Sequence, residues 1–186
     1  AYSAIAHAGY MLLAVLTHDQ QAVASLIYYA VTYGLTTIGA FGVVAVVEQG
    51  TGDSKLTDFA GLSRRAPVVS LCMMIFLLSL AGIPPLAGFF GKFYVFAAAV
   101  KHGPENLGVL WLVILAIAMS AVSLYYYLQV LKQIYVTDAP KVASVLSIPW
   151  IPRVALFLLA LGVLLLGCFP GWLVGLIEQA MTRLAH

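Results

Sequence analysis

The chain has 186 residues, of which 63% are apolar and only 9% charged, and its mean hydropathy is +1.02. Such a composition excludes an ordinary soluble domain and indicates an integral membrane protein. Nine Lys and Arg against seven Asp and Glu leave a net charge of +2 without any basic run, so nucleic acid is excluded as a partner.

A bilayer core takes about 20 apolar residues of helix, and on that measure the chain divides into five segments. The first runs from Ala1 to Thr17 and ends at a polar turn, "HDQQ". The opening "AYSAIAHAGY" has neither a methionine nor a basic leader, so the chain reads as a fragment of a longer protein. Ser3 and His7 stand four residues apart on one face of this helix. Histidine can pass protons at physiological pH, which makes His7 either a relay member or a hydrogen-bonded structural residue.

The second segment spans Ala22 to Val47 and carries a stripe of hydroxyls, including Tyr29, Thr32, Tyr33 and Thr36. These serve either to hold ordered water or to bond neighbouring helices. A long polar loop, "EQGTGDSKLTDFAGLSRR", follows.

The third segment, Ala66 to Val100, is anomalous. As continuous helix it would measure roughly 50 Å, too long for one crossing of a core about 30 Å thick and too short for two. Its middle reads "LAGIPPLAGFFGKFYVF". Pro84 and Pro85, flanked by Gly82 and Gly88, should unwind about one turn and free backbone groups. Irregular backbone is tolerated at membrane depth only where protein or a water-filled cavity covers it.

Loop charge decides between one crossing and two. A single crossing puts Lys55, Arg64, Arg65, Lys132, Lys141 and Arg153 on one side against Lys101 and Arg183 on the other, the stronger positive-inside bias. The segment is therefore expected to be one discontinuous helix, with the six-charge side cytoplasmic.

Lys92 lies just past the break among Phe89, Phe90, Phe93 and Phe96. A lysine at that depth costs roughly 3 kcal/mol on insertion scales. Desolvation disfavours its charged form and makes its proton transferable near neutral pH, the property a proton relay needs. Lys101 is better placed to snorkel to the headgroups. No carboxylate is expected inside the segments to pair with Lys92.

The fourth segment, Leu107 to Val136, offers Ser120, Ser123 and the run Tyr125, Tyr126, Tyr127; Tyr126 is the candidate for the polar interior. A triple tyrosine covers most of a helix circumference, so at least one ring faces protein. The fifth segment runs from Ile151 to Phe169. The tail beyond it places Leu173, Leu176, Ile177, Ala180 and Leu184 at helical spacing, as a surface helix does. Cys72 and Cys168 lack metal-type spacing and read as small membrane-core residues; His18 and His102 read as interfacial. No enzyme motif is present.

"AYSAIAHAGY", "LSLAGIPPLAGFFGKFYVF" and "SLYYYLQVLKQIY" resemble, in that order, the C-terminal part of the antiporter-like membrane subunits of respiratory complex I, the proton-pumping NADH-quinone oxidoreductase. The resemblance implies an all-α fold built from inverted repeats. Residues 1–136 would form later helices of the second repeat (1–17, 22–47, broken 66–100 and 107–136). Residues 137–186 would supply a proline-containing loop, the final crossing at 151–169 and an interfacial tail. It implies that Lys92 belongs to a proton path along a hydrated axis, with His7 in the same axis, and that a lysine rather than a glutamate there marks the N- or L-type members.

Other membrane subunits, lipid, protons and internal water are the partners it implies, in a bacterial inner membrane. Flavin and iron–sulfur clusters are expected in other subunits, and no cofactor or metal in this chain. Two alternatives stand beside it: a subunit of a multisubunit sodium/proton antiporter, and a structural or assembly segment without its own proton path.

Overall fold

The structure is a computed structural model that describes residues 2–16, 20–52, 55–101, 107–138 and 148–184. His18, His102 and Lys141 lie outside these residues. In chain order the helices are α1 (Tyr2–Val15), α2 (Gln20–Thr51), α3 (Leu62–Arg65), α4 (Pro67–Ala81), α5 (Ala87–Lys101), α6 (Leu107–Tyr135), α7 (Trp150–Cys168) and α8 (Pro170–Leu184), with a 3-10 turn at Leu56–Phe59 before α3. No strand occurs among the described residues. The helices α2, α6 and α7 are long and apolar enough to cross a membrane.

The expected break is present: α4 and α5 are 15 residues each, separated at residues 82–86. Together they measure roughly 45 Å of helix, one interrupted crossing rather than a hairpin. Contacts at both ends agree. At one end Arg64, just before α4, pairs with Asp138, just after α6, at 3.1 Å. At the other, Lys101 closes α5 by donating to Gln21 at the start of α2, at 3.0 Å. The two ends of the interrupted helix thus reach opposite ends of the bundle.

Two cores hold the bundle. The larger joins α2, α4, α6 and α7 through Val43, Phe76, Ile134 and Val163, all fully buried. The smaller joins α1, α2, α5 and α6 through Tyr10, Tyr29, Val95 and Val113. The break borders the larger one, which includes Leu80 and Ala87 on either side of it.

Several expectations are corrected. The second helix continues to Thr51, so Glu48 sits on its exposed last turn rather than in a loop. The polar stretch after it folds: Phe59, Ala60 and Leu62 are buried, and the Gly61 amide donates to the Gln133 carbonyl of α6 at 3.2 Å. Apolar residues spaced about three apart let this short segment pack under the bundle despite its charges. Cys72 is buried as expected, whereas Cys168, at the end of α7, is exposed. In α8 the half-buried face is Leu173 and Ile177, while Leu176 and Ala180 point away. At 15 residues, about 22 Å, α8 is too short to span the hydrocarbon core.

Candidate functional site: a lysine on an interrupted helix

Every helical carbonyl looks for the N–H four residues ahead. Residues 84 and 85 are prolines and have none, so the carbonyls of Leu80 and Ala81 lose their partners. The preceding two are served locally. Gly82 adopts the left-handed conformation (φ 85°), and its amide donates to Ser79 O at 3.0 Å while the Ile83 amide donates to Leu78 O at 3.0 Å. This is the pairing of a Schellman turn, for which glycine is suited because it lacks a Cβ. What remains unmet inside the protein is the pair of oxygens on Leu80 and Ala81.

Lys92 meets them. Its side chain runs back from α5 along the break, and Nζ donates to Leu80 O at 2.8 Å and Ala81 O at 3.1 Å. The third N–H goes to Ser120 Oγ of α6 at 2.7 Å. The residue is 5% exposed, and all three of its donors are used. The free carbonyl end of α4 also carries the negative end of a helix dipole, which favours a cation there. The three partners of Lys92 are oxygens of neutral groups, two carbonyls and a hydroxyl.

Neighbouring helices cover the break. Gly88 donates its amide to Ser79 Oγ at 3.1 Å, tying α5 to α4. On α7, Gly167 lies so close to the Pro85 carbonyl and the Ala87 amide that a Cβ would collide with them. On the other side, a cleft of about 330 Å³ lined by Gly82, Phe89, Phe93, Phe96, Lys92 and Ser120 opens between α5 and α6.

Ser3 and His7 do share a face of α1, and they reach different helices. Ser3 Oγ is hydrogen-bonded to the hydroxyl of Tyr127. His7, 2% exposed, has Nδ1 2.7 Å from the Tyr29 hydroxyl and stacks on Tyr33 with ring centroids 4.5 Å apart. Its Nε2 is buried without a hydrogen-bond partner, as is the Tyr10 hydroxyl. Tyr10 links the two candidates: its ring lies 5.6 Å from the His7 ring and 5.5 Å from Lys92 Nζ, within cation–π range. Lys92 and His7 therefore flank the same tyrosine ring without touching directly.

The hydroxyl stripe of α2 divides. Tyr29 and Tyr33 face His7. Thr32 and Thr36 instead donate to their own helix, Thr32 to Tyr28 O at 2.9 Å and Thr36 to Thr32 O at 2.6 Å. These two threonines thus direct their protons to α2 itself rather than to a neighbouring helix. Of the triple tyrosine, Tyr125 is exposed, Tyr126 half-buried and Tyr127 buried, so Tyr127 rather than Tyr126 bonds across the interior.

The residues not selected from sequence are Tyr10, Ser120 and Tyr127. Tyr10 is three residues from His7 on the same face, and Ser120, Ser123 and Tyr127 recur at helical spacing on α6, which is the signal that marks them. Among the described residues no group of three His, Cys, Asp or Glu side chains could hold a metal ion.

Comparison with known proteins follows the same features. Residues 1–123 match the family described as NADH:quinone oxidoreductase/Mrp antiporter, TM. The chain is 55% identical over 173 residues to NADH-quinone oxidoreductase subunit N 2 of Acidobacterium capsulatum, covering 93% of this chain and 35% of that protein. It is 40% identical over 181 residues to subunit N of Coxiella burnetii, covering 97% and 36%. It thus spans about a third of the length of the curated relatives it matches.

A chain of respiratory complex I from Thermus thermophilus superposes with a TM-score of 0.76 at 38% identity, over 94% of this chain and 38% of that one. A chain of the Mrp complex of a Dietzia species superposes at 0.78 with 19% identity, over 97% and 41%, which shows a shared fold. On the match over residues 1–123, which contain both the interrupted helix and its lysine, the chain belongs to the NADH:quinone oxidoreductase/Mrp antiporter transmembrane family.

Proposed function

We propose that this chain is part of a proton-translocating membrane subunit of NADH-quinone oxidoreductase, of the subunit N type, in a bacterial plasma membrane. Its loop carrying Arg64 and Arg65 faces the cytoplasm. Electron transfer from NADH to quinone takes place in other subunits, where flavin and iron–sulfur clusters reside, and this chain moves protons.

The observation that carries the reading is the buried lysine held on two carbonyls that the prolines leave unpaired. A lysine placed there only to cap a helix would need no polar surroundings. Here a histidine, three tyrosines and a serine border the same interior. Lys92 accepts a proton from this interior, holds it against the carbonyl end of α4, and releases it when charge elsewhere in the subunit changes. His7 is the second station, reached past Tyr10. The polar groups of the break and of α2, namely Gly82, Pro84, Pro85, Gly88, Tyr29 and Tyr33, shape the path without carrying the proton themselves.

The test is Lys92→Ala in the full-length subunit within its complex, with NADH-driven proton pumping measured alongside assembly. Loss of pumping in an assembled complex is expected; full pumping would leave the interrupted helix as architecture or as an assembly element. Because the family also includes Mrp antiporters, sodium dependence of transport separates the two kinds of member. The identity to subunit N relatives favours the oxidoreductase.

A further inference from the structure

The three acceptors around Lys92 differ in chemistry. The carbonyl oxygens of Leu80 and Ala81 accept hydrogen bonds but carry no proton to pass on, whereas the Ser120 hydroxyl, 2.7 Å from Nζ, both accepts and donates. Tyr10 is no rival, because it presents its ring to the ammonium. Resting on the relay reading above, we infer that Ser120 is the proton-transfer partner of Lys92, exchanging protons between the ammonium and water in the cleft between α5 and α6.

Two observations carry this. The first is donor arithmetic. An ammonium has three N–H groups, and all three are engaged. A neutral amine has two N–H groups and a lone pair. The two remaining N–H groups can stay on the carbonyls, which can only accept. The lone pair must then face a donor, and among the three partners only Ser120 can turn its O–H inward. The lysine therefore gives up its proton toward Ser120 without disturbing the break.

The second is access. Ser120 and Lys92 are the two polar side chains in the lining of a cleft of about 330 Å³, the places in it where a water molecule would find hydrogen-bond partners. The step is balanced. An Nζ–H bond breaks as an O–H bond forms on Ser120, and the original Ser120 proton passes to a water molecule. Lysine is left as the neutral amine, serine is unchanged, and water carries the charge as hydronium. This is the release step; the proton that reloads the amine comes from the Tyr10 and His7 side, as in the relay above.

Threonine and valine have nearly equal volume and differ in the hydroxyl, so Ser120→Thr and Ser120→Val test the proposal in the full-length subunit within its assembled complex, beside Lys92→Ala. Proton pumping of the threonine variant is expected within about two-fold of the parent, and that of the valine variant about ten-fold or more below it. Equal pumping by the two variants, whether both active or both inert, would overturn the role of Ser120. If Lys92→Ala abolishes pumping in that case, the relay stands and only the serine is wrong. Full pumping by Lys92→Ala would overturn the relay and this inference together.

Discussion

The lysine and the histidine border the same interior and are built in opposite ways. Lys92 has an acceptor for each of its three donors, two of them oxygens freed by proline. His7 uses one nitrogen, toward Tyr29, and keeps the other buried and unpartnered between aromatic rings. The lysine is fully hydrogen-bonded to oxygens, whereas the histidine is half-bonded and walled by aromatic rings. Two basic groups a tyrosine apart thus sit in opposite hydrogen-bonding surroundings.

The largest effect tests the lysine half of that contrast. Arginine keeps the charge and can donate to carbonyls, but it does not release a proton in proteins. Lys92→Arg is expected to assemble and to lose proton pumping by about 10²-fold or more. Pumping near the parent level would mean that charge alone, not proton release, is used at this position.

Next comes the turn that aims the lysine. Gly82 has φ 85°, and an added Cβ would lie 3.1 Å from Lys92 Cδ. Gly82→Ala should destabilise the full-length subunit by about 1–2 kcal/mol through the left-handed backbone alone. Thermal unfolding of the detergent-solubilised complex measures it, and an unchanged midpoint would show that the break adapts.

For the histidine half, His7→Phe keeps the stacked ring and removes both nitrogens. A reduction in pumping of about five-fold is expected, smaller than for the lysine because the ring occupies a largely aromatic box. A loss as deep as that of Lys92→Arg would erase the asymmetry between the two sites.

The smallest effect is a control at a hydroxyl that bonds neither Lys92 nor His7. The Leu166 carbonyl of α7 faces Pro170 four residues on, which has no N–H, and Tyr28 donates its hydroxyl to that oxygen at 2.9 Å. Tyr28→Phe should cost about 1 kcal/mol of stability and leave pumping unchanged. The repair is the same one Lys92 performs, a side chain serving a carbonyl that proline has stranded, but with a group that keeps its proton. Loss of pumping here would mean that any stranded carbonyl matters, not the lysine's proton.

Much of the candidate site is legible along the chain. The interruption follows from Gly82, Pro84 and Pro85, and the depth of Lys92 follows from its distance to both ends of an apolar run. Single crossing follows from the placement of the charged loops. The stranded oxygens can also be counted, because Pro84 and Pro85 point back four residues to Leu80 and Ala81. Less legible was which of several similar groups turns inward. Tyr126 and Tyr127 are neighbours of identical chemistry, and 100° of helical rotation separates the half-buried ring from the one that meets Ser3. Thr32 and Thr36 look like donors to the interior until their bonds to their own helix are seen.

What the sequence by itself determined is therefore what acts within one helical turn or across the thickness of a bilayer: hydropathy, the loss of an N–H at proline, left-handed backbone at glycine. The tertiary structure alone decided which distant groups repay those local losses. It brought Ser120 of α6 to the lysine, laid Gly167 of α7 over the break, and folded residues 56–65 against α6 where composition suggested only a loop. The reason is physical. An unsatisfied carbonyl is a local consequence of covalent structure, but the donor that satisfies it is chosen by how the helices pack.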